Sequence, residues 1–223
     1  MVSIVSKAQI SARNRGEGVI WLDHVTLAET DLEWLADVQR LTLWNVRVPP
    51  HFLGRLSKLW WLDWRGGGVG QGIEQIGDCD GLRYLSLNQI RGLTDLSFLF
   101  GKTTLELIDL YGLTRLERLP SLASLTGVRR AQVGQMKSMD SIGPVLEAPN
   151  LEELLLQNFV RVSAEDVTAM QDHPKLKTFG WFAENVPVKT WLPVREAVAL
   201  PETRGMHPEE WFGLKLGSGS PRG

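Results

Sequence analysis

The chain has 223 residues, 43% of them hydrophobic, with 24 basic and 26 acidic side chains and a formal charge of −2. That is enough apolar material for a sizeable interior, and so even a charge balance gives no electrostatic case for nucleic acid or an acidic membrane. One cysteine, Cys79, excludes an intramolecular disulfide and reads as a buried thiol. No run reaches the ~18 apolar residues of a membrane span. The opening MVSIVSKAQISARNRG lacks the continuous apolar stretch of a secretory signal, so a cytoplasmic location is expected.

Residues 1–17 read as a polar, slightly basic N-terminal flank with Lys7, Arg13 and Arg15. A first strand is predicted from Val19 to Val25, in a weak repeat copy that starts at Val19, continues at Leu22 and has His24 at its inward sixth place. Regular copies follow, apolar at the first, fourth and sixth places: Val38, Leu41, Leu43; Leu59, Leu62, Trp64; Leu82, Leu85, Leu87; and Leu105, Ile108, Leu110. Val128, Ala131, Val133; Leu151, Leu154, Leu156; and Leu176, Phe179, Trp181 complete the series, with starts 21, 23, 23, 23, 23 and 25 residues apart. Each unit reads as a short strand, a tight corner and a loosely helical return. Such a unit cannot bury its apolar side alone and needs a copy on each flank.

The connecting segments have their own signals. Thr30-Asp31-Leu32-Glu33 is an N-capping pattern for a helix from Leu32 to Asp37, burying Leu32 and Leu35 with Trp34 nearby. Pro49-Pro50 marks the start of a helical return that packs Phe52, Leu53 and Leu56. Arg65 to Gly72, RGGGVGQG, lacks the Gly-Lys-Ser/Thr ending of a phosphate loop. It reads as a glycine-lined corner beside the sheet. Pro120, Pro144 and Pro149 shorten the middle returns, whereas Ser163 and Asp166 cap a true helix reaching Gln171 with Val167 and Met170 inward. Residues 184–213, with Trp191, Val194, Val198, Trp211 and Phe212, read as a C-terminal cap over the last open coil. Pro208-Glu209-Glu210 starts a short helix within it, and residues 214–223, ending GSGSPRG, read as a disordered tail.

The L-x-x-L-x-L opening at this period resembles the leucine-rich-repeat family over residues 18–183. The resemblance implies an α/β solenoid: a right-handed curved stack with a concave parallel sheet and short convex helices or 3₁₀ turns. The sequence departs from the family at the ninth place, where Asn or Cys is usual and Val46, Gly67, Ile90, Leu113, Met136 and Phe159 stand here. Apolar packing must then hold the corner. A parallel β-helix, whose coils have similar length, is the alternative fold.

If like-numbered residues stack, second-place residues form a ladder: Arg83, Glu106, Arg129, Glu152, Lys177. Its alternating sign supports the register independently of the leucines. Third, fifth and seventh places should face out of the concave sheet. They set Trp21, Arg40, Trp61 and Tyr84 in one row, Asp23, Asp63 and Asp109 in the next, and Val25, Trp44, Arg65 and Tyr111 in the last. Tryptophan, tyrosine and arginine dominate energetic centres of interfaces, so these residues, Val25 excepted, are the candidate partner-binding set. The structural alternative is that Arg40 stacks between Trp21 and Trp61 for stability alone.

Catalysis has little support. His51 and His173 fall on convex segments, His207 in the cap, and only His24 near the concave strands. Aspartates two strands apart, about 9.6 Å, do not share a proton. No metal or other cofactor is expected. The expected function is a non-enzymatic, monomeric protein-binding module, an adaptor or a toxin-neutralising immunity-type protein by fold analogy. Carbohydrate or small-ligand binding on the same aromatic face is the alternative.

Overall fold

The computed structural model describes residues 5–214; residues 215–223 of the expected tail lie outside them. Nine strands form one sheet in chain order: β1 (Arg13–Asn14), β2 (Val19–Asp23), β3 (Arg40–Trp44), β4 (Trp61–Arg65), β5 (Tyr84–Asn88), β6 (Leu107–Tyr111), β7 (Arg130–Gly134), β8 (Glu153–Gln157) and β9 (Thr178–Phe182). β1 runs antiparallel to β2 and covers its edge. Every later pair is parallel and joins like-numbered residues, such as Leu41 with Leu62 and Leu87 with Leu110. A β-helix would distribute its strands over several sheets. One sheet, with helical returns behind it, is the repeat solenoid implied by the L-x-x-L-x-L spacing.

The returns are α1 (Lys7–Ser11), α2 (Leu32–Leu35), α3 (Gly143–Leu146), α4 (Ala164–Asp172) and 3₁₀ turns at Leu53–Arg55, Ile73–Asp78 and Ser97–Leu99. α5 (Val188–Val198) and α6 (Pro208–Trp211) follow the last strand. α2 starts at Leu32 as its capping pattern predicts, directly after a 3₁₀ turn at Glu29–Asp31, but ends at Leu35, two residues short of Asp37. Asp31 is buried and accepts from Ala28 N at 2.8 Å, Trp34 Nε1 at 2.7 Å and the Ser6 hydroxyl, tying the N-terminal flank to the first coil. The reciprocal cap of α4 forms as expected: Asp166 N donates to Ser163 Oγ at 3.1 Å and Ser163 N to Asp166 Oδ2 at 2.8 Å.

Fourth- and sixth-place side chains point inward and build one continuous core with the returns, from Leu22 to Trp181. Trp64 is 1% exposed there, and Cys79 is buried, its thiol pushed up to about 12 chiefly by that burial. Strands β2 to β8 each leave the sheet through an eighth-place residue with positive φ: His24, Asn45, Gly66, Gln89, Gly112, Gln135 and Asn158. Most of the ninth-place residues then turn inward, with Val46, Ile90, Leu113 and Met136 no more than 2% exposed. Phe159 stays outside and Val160 fills that place.

This corner corrects the first coil. His24 belongs to the left-handed eighth place, not to an inward sixth place, so the coil begins two residues earlier, at Glu17. Ile20 and Leu22 are its inward pair. Val19 pairs with Arg40, Trp21 with Thr42, and Asp23 with Trp44. The shift of two leaves Trp21 and Asp23 on the concave face but changes their neighbours, and it moves Val25, expected in the concave seventh-place row, past the strand to pack against the core.

The charged ladder also forms. Arg83 pairs with Glu106, and Glu152 accepts from Arg129 at 3.3 Å and from Lys177 at 2.7 Å. Lys177 and then Arg129 lower the Glu152 pKa. Glu152→Lys would place three cations on adjacent strands. It is expected to destabilise the fold by about 1 kcal/mol and lower the melting temperature by about 2–4 °C, read by circular dichroism. The difference should shrink in roughly 1 M NaCl, where the charges are screened.

Candidate functional site

Strand pairing sets three concave rows. The third-place row reads Val19, Arg40, Trp61, Tyr84, Leu107, Arg130, Glu153, Thr178. The fifth-place row reads Trp21, Thr42, Asp63, Ser86, Asp109, Gln132, Leu155, Gly180. The seventh reads Asp23, Trp44, Arg65, Asn88, Tyr111, Gly134, Gln157, Phe182. All ten candidate residues lie on this sheet face, with Trp21 and Asp23 each one row further along their strand than expected.

The face is not wholly open. The stretch read as one cap divides in two. α5 packs against α4 and β9 and covers the last coil. Residues after it turn back across the concave sheet. Phe179 N donates to Pro201 O at 3.0 Å, and Thr203 Oγ1 donates to Leu154 O at 2.9 Å. Gly180 permits that crossing, since a Cβ there would lie 3.0 Å from Thr203 O. Arg130 Nη2 donates to Arg204 O at 2.9 Å, and Arg40 on β3 pairs with Glu209 of α6. The Phe212 ring lies 5.4 Å from Trp60, 5.9 Å from Trp61 and 6.4 Å from Tyr84. Trp211 and Leu214 pack on the same cluster, so Leu214 belongs to this segment and not to a tail.

The segment sorts the candidates. Trp61, Tyr84 and Asp63 are only 6%, 3% and 4% exposed, so they are not a free surface. Arg40 lies 4.7 Å over the Trp61 ring alone, not between two tryptophans. Trp21 is stacked instead by Arg15 at 4.4 Å and Arg65 at 5.5 Å. It also lies 6.2 Å from Trp44, which is 44% exposed. Asp23, Trp44, Arg65 and Tyr111 thus form the open edge. Gly134 shapes it: a Cβ there would come within 2.7 Å of Tyr111, whose hydroxyl accepts from Asn158 Nδ2 at 3.0 Å.

Beneath that edge is a polar strip. Arg65 grips Asp63 with two nitrogens, at 2.9 Å from Nε and 2.6 Å from Nη2. Burial works against the Arg65 charge, but Asp63 more than offsets it and the pKa rises. Asp109, two strands away in the same row, is pushed up to about 7 by burial and then by the Asp63 charge. His207 also belongs here, although its sequence position suggested only a cap. Burial and then the Arg40 and Arg65 charges lower its pKa. His24, by contrast, is an exposed corner. Among the described residues no three of His, Cys, Asp and Glu gather as a metal site, and no helix is long and apolar enough to cross a membrane.

Sequence reasoning missed Thr203, Glu209 and Phe212 as parts of this face. The one available signal was the adjacent Trp211 and Phe212, large rings in a short segment rich in charge and glycine.

No family model matches the sequence, and no curated protein matches it. Among solved structures, an internalin (InlF) of Listeria monocytogenes aligns with a TM-score of 0.53 at 20% identity, over 75% of this chain and 49% of its own. A second internalin of that organism aligns with a TM-score of 0.46 at 21% identity, over 74% and 80%. The chain spans about half the length of the first. The likeness is one of fold, and the chain is a leucine-rich-repeat solenoid.

The raised Asp109 pKa has a sign that can be tested. Between pH 4 and 7 the unfolded carboxyl ionises while the folded one keeps its proton, so stability falls across that window as pH rises. Asp109→Asn is expected to raise the melting temperature by about 2–6 °C at pH 8 and by clearly less at pH 5, where the penalty is only partly developed. Thermal scans at the two pH values check this.

Proposed function

We propose that this solenoid is a non-enzymatic protein-interaction module that holds a partner on its concave side, along the open edge of Asp23, Trp44, Arg65 and Tyr111. The observation that carries the reading is the 44% exposure of Trp44 beside the Arg65–Asp63 pair, on a sheet whose other rows are covered. A large ring flanked by a fixed guanidinium is the composition of an energetic centre in protein interfaces. The rigid parallel sheet holds these groups at strand spacing, so little ordering is needed on binding. Trp21 and Asp109, below the edge, set its shape and charge. Trp61, Asp63, Tyr84 and Arg40 act from beneath or through the covering segment.

The module acts as a monomer in the cytoplasm, as an adaptor or a toxin neutraliser. The sheet ends support the monomer: β1, only two residues long, lies at one edge, and Pro201 bonds to β9 at the other beside α5, so little strand edge is left among the described residues to template a second copy. The choice of adaptor or neutraliser rests on fold analogy.

The test is quantitative affinity capture from the source cell with wild type and a Trp44→Ala/Arg65→Ala variant that melts within about 3 °C of it. One partner should be recovered at least ten times less well with the variant, since truncating an interface centre costs about 2 kcal/mol or more. Equal recovery of every protein by both would remove the open edge as the binding surface.

A further inference from the structure

The third-place row behaves as a second, separate surface. Trp61, Tyr84 and Leu107 form an apolar cluster that does not join the main core, and Trp60, Trp211, Phe212 and Leu214 close it. The solenoid's own ends are already covered by β1 and α5. Residues 205–214 are therefore not needed as an end cap. We propose that the row from Arg40 to Arg130 is a peptide-binding groove for an acidic–aromatic segment, occupied here in cis by residues 203–214. A partner presenting a carboxylate and, three residues on, an aromatic ring takes their place. This deepens the protein-binding reading and rests on it.

The geometry of the occupant defines the chemistry. Glu209 and Phe212 are three apart on one helical turn, so their side chains leave the same face. Their receptors are direct strand neighbours: Arg40 pairs with Trp61, and Trp61 with Tyr84. One turn of helix thus sets a carboxylate on Arg40 while its ring enters the Trp60–Trp61–Tyr84 cluster, under the Arg83 guanidinium at 5.3 Å. Leu214, two residues on, adds apolar contact. This is helix-in-groove recognition reduced to one turn.

The hold is that of a ligand more than of a structural element. Among the described residues, every backbone hydrogen bond from Gly205 to Leu214 stays within residues 207–214, and only side chains reach the sheet. A four-residue helix is far below the length that is stable alone, so the turn forms against the groove. The fit also leaves donors unused. Arg130 is 1% exposed, with Nη1 on Glu153 and Nη2 on Arg204 O, yet its Nε has no partner among the described residues. Arg40 Nε is likewise buried and unpaired. A segment bringing one more acceptor to either arginine satisfies what the cis segment does not. The tether gives residues 205–214 a high local concentration, so a partner must exceed it to enter.

The experiment uses a fluorescein-labelled peptide of residues 205–216, GMHPEEWFGLKL, and fluorescence polarisation against the full-length protein. The peptide should bind a Trp211→Ser/Phe212→Ser variant at least tenfold more tightly than wild type. Arg40→Glu in that background should weaken binding at least tenfold, and a Glu209→Arg peptide should regain it. A scrambled peptide should not bind. Should the double variant fail to fold by circular dichroism, Glu209→Lys in the full chain serves the same comparison. Overturning results are no peptide binding to a folded variant, equal binding of the scrambled peptide, or failure of both variants to fold, which would make the segment an obligate part of the structure. No partner is used here. A failed peptide titration therefore leaves the open-edge reading standing, and a failed affinity capture leaves the groove standing.

Discussion

Like-numbered residues of successive coils pair across the sheet, and almost every other feature follows from that register. Pairing Leu41 with Leu62 and Leu87 with Leu110 stacks the inward side chains into one core. The same pairing sets Arg83 beside Glu106, and Glu152 between Arg129 and Lys177, so surface charge reinforces what burial has already chosen. A strand that slipped by one residue would send its apolar pair to the concave face. A slip of two keeps the faces but mismatches the corners. The left-handed eighth place guards against this, since few residue types tolerate positive φ and they occupy it from His24 to Asn158.

The concave face is built from two kinds of surface that make opposite demands. The third-place row holds Trp61, Tyr84 and Leu107, and such a patch left in water would invite association. The chain covers it with its own C-terminal residues. The seventh-place row holds Trp44 and Arg65, which remain reachable. Between them, Asp63 and Asp109 meet their burial differently. Asp63 is clamped by Arg65, while Asp109 keeps its proton to near neutral pH, chiefly because it is buried and then because Asp63 stands in the same row.

Local and periodic information was legible in the sequence. The strands from Val38 onward, the ladder of charges, the cap at Ser163 and the short helix at Pro208 all leave a signature within a few residues or at a fixed spacing. The first coil was displaced by two because Glu17 breaks the apolar first place and Val19 imitates it. Aligning His24 with Asn45, Gln89, Gln135 and Asn158 as polar corner residues would have fixed it. The covering segment was not legible for a different reason. Arg40 and Glu209 are 169 residues apart, and a contact made once, outside the repeat, has no period to reveal it. Side-chain alternation correctly sent Trp61 and Tyr84 out of the core. It carries no information about what lies over them.

The covered and open rows are also linked electrically. His207 opens α6, and its pKa is lowered by burial and by the positive charges of Arg40 and Arg65, one from each row. Asp63 pulls the other way on the same imidazole. Arg40 has its own pKa lowered by burial, and Glu209 supplies the countercharge beside it. Lifting α6 would therefore hydrate Arg40, remove its countercharge and release His207 from the surroundings that lower its pKa. The position of the C-terminal segment and the charge seen at the open edge are two readings of one arrangement. Whatever occupies the third-place row sets the electrostatics at Trp44 and Arg65.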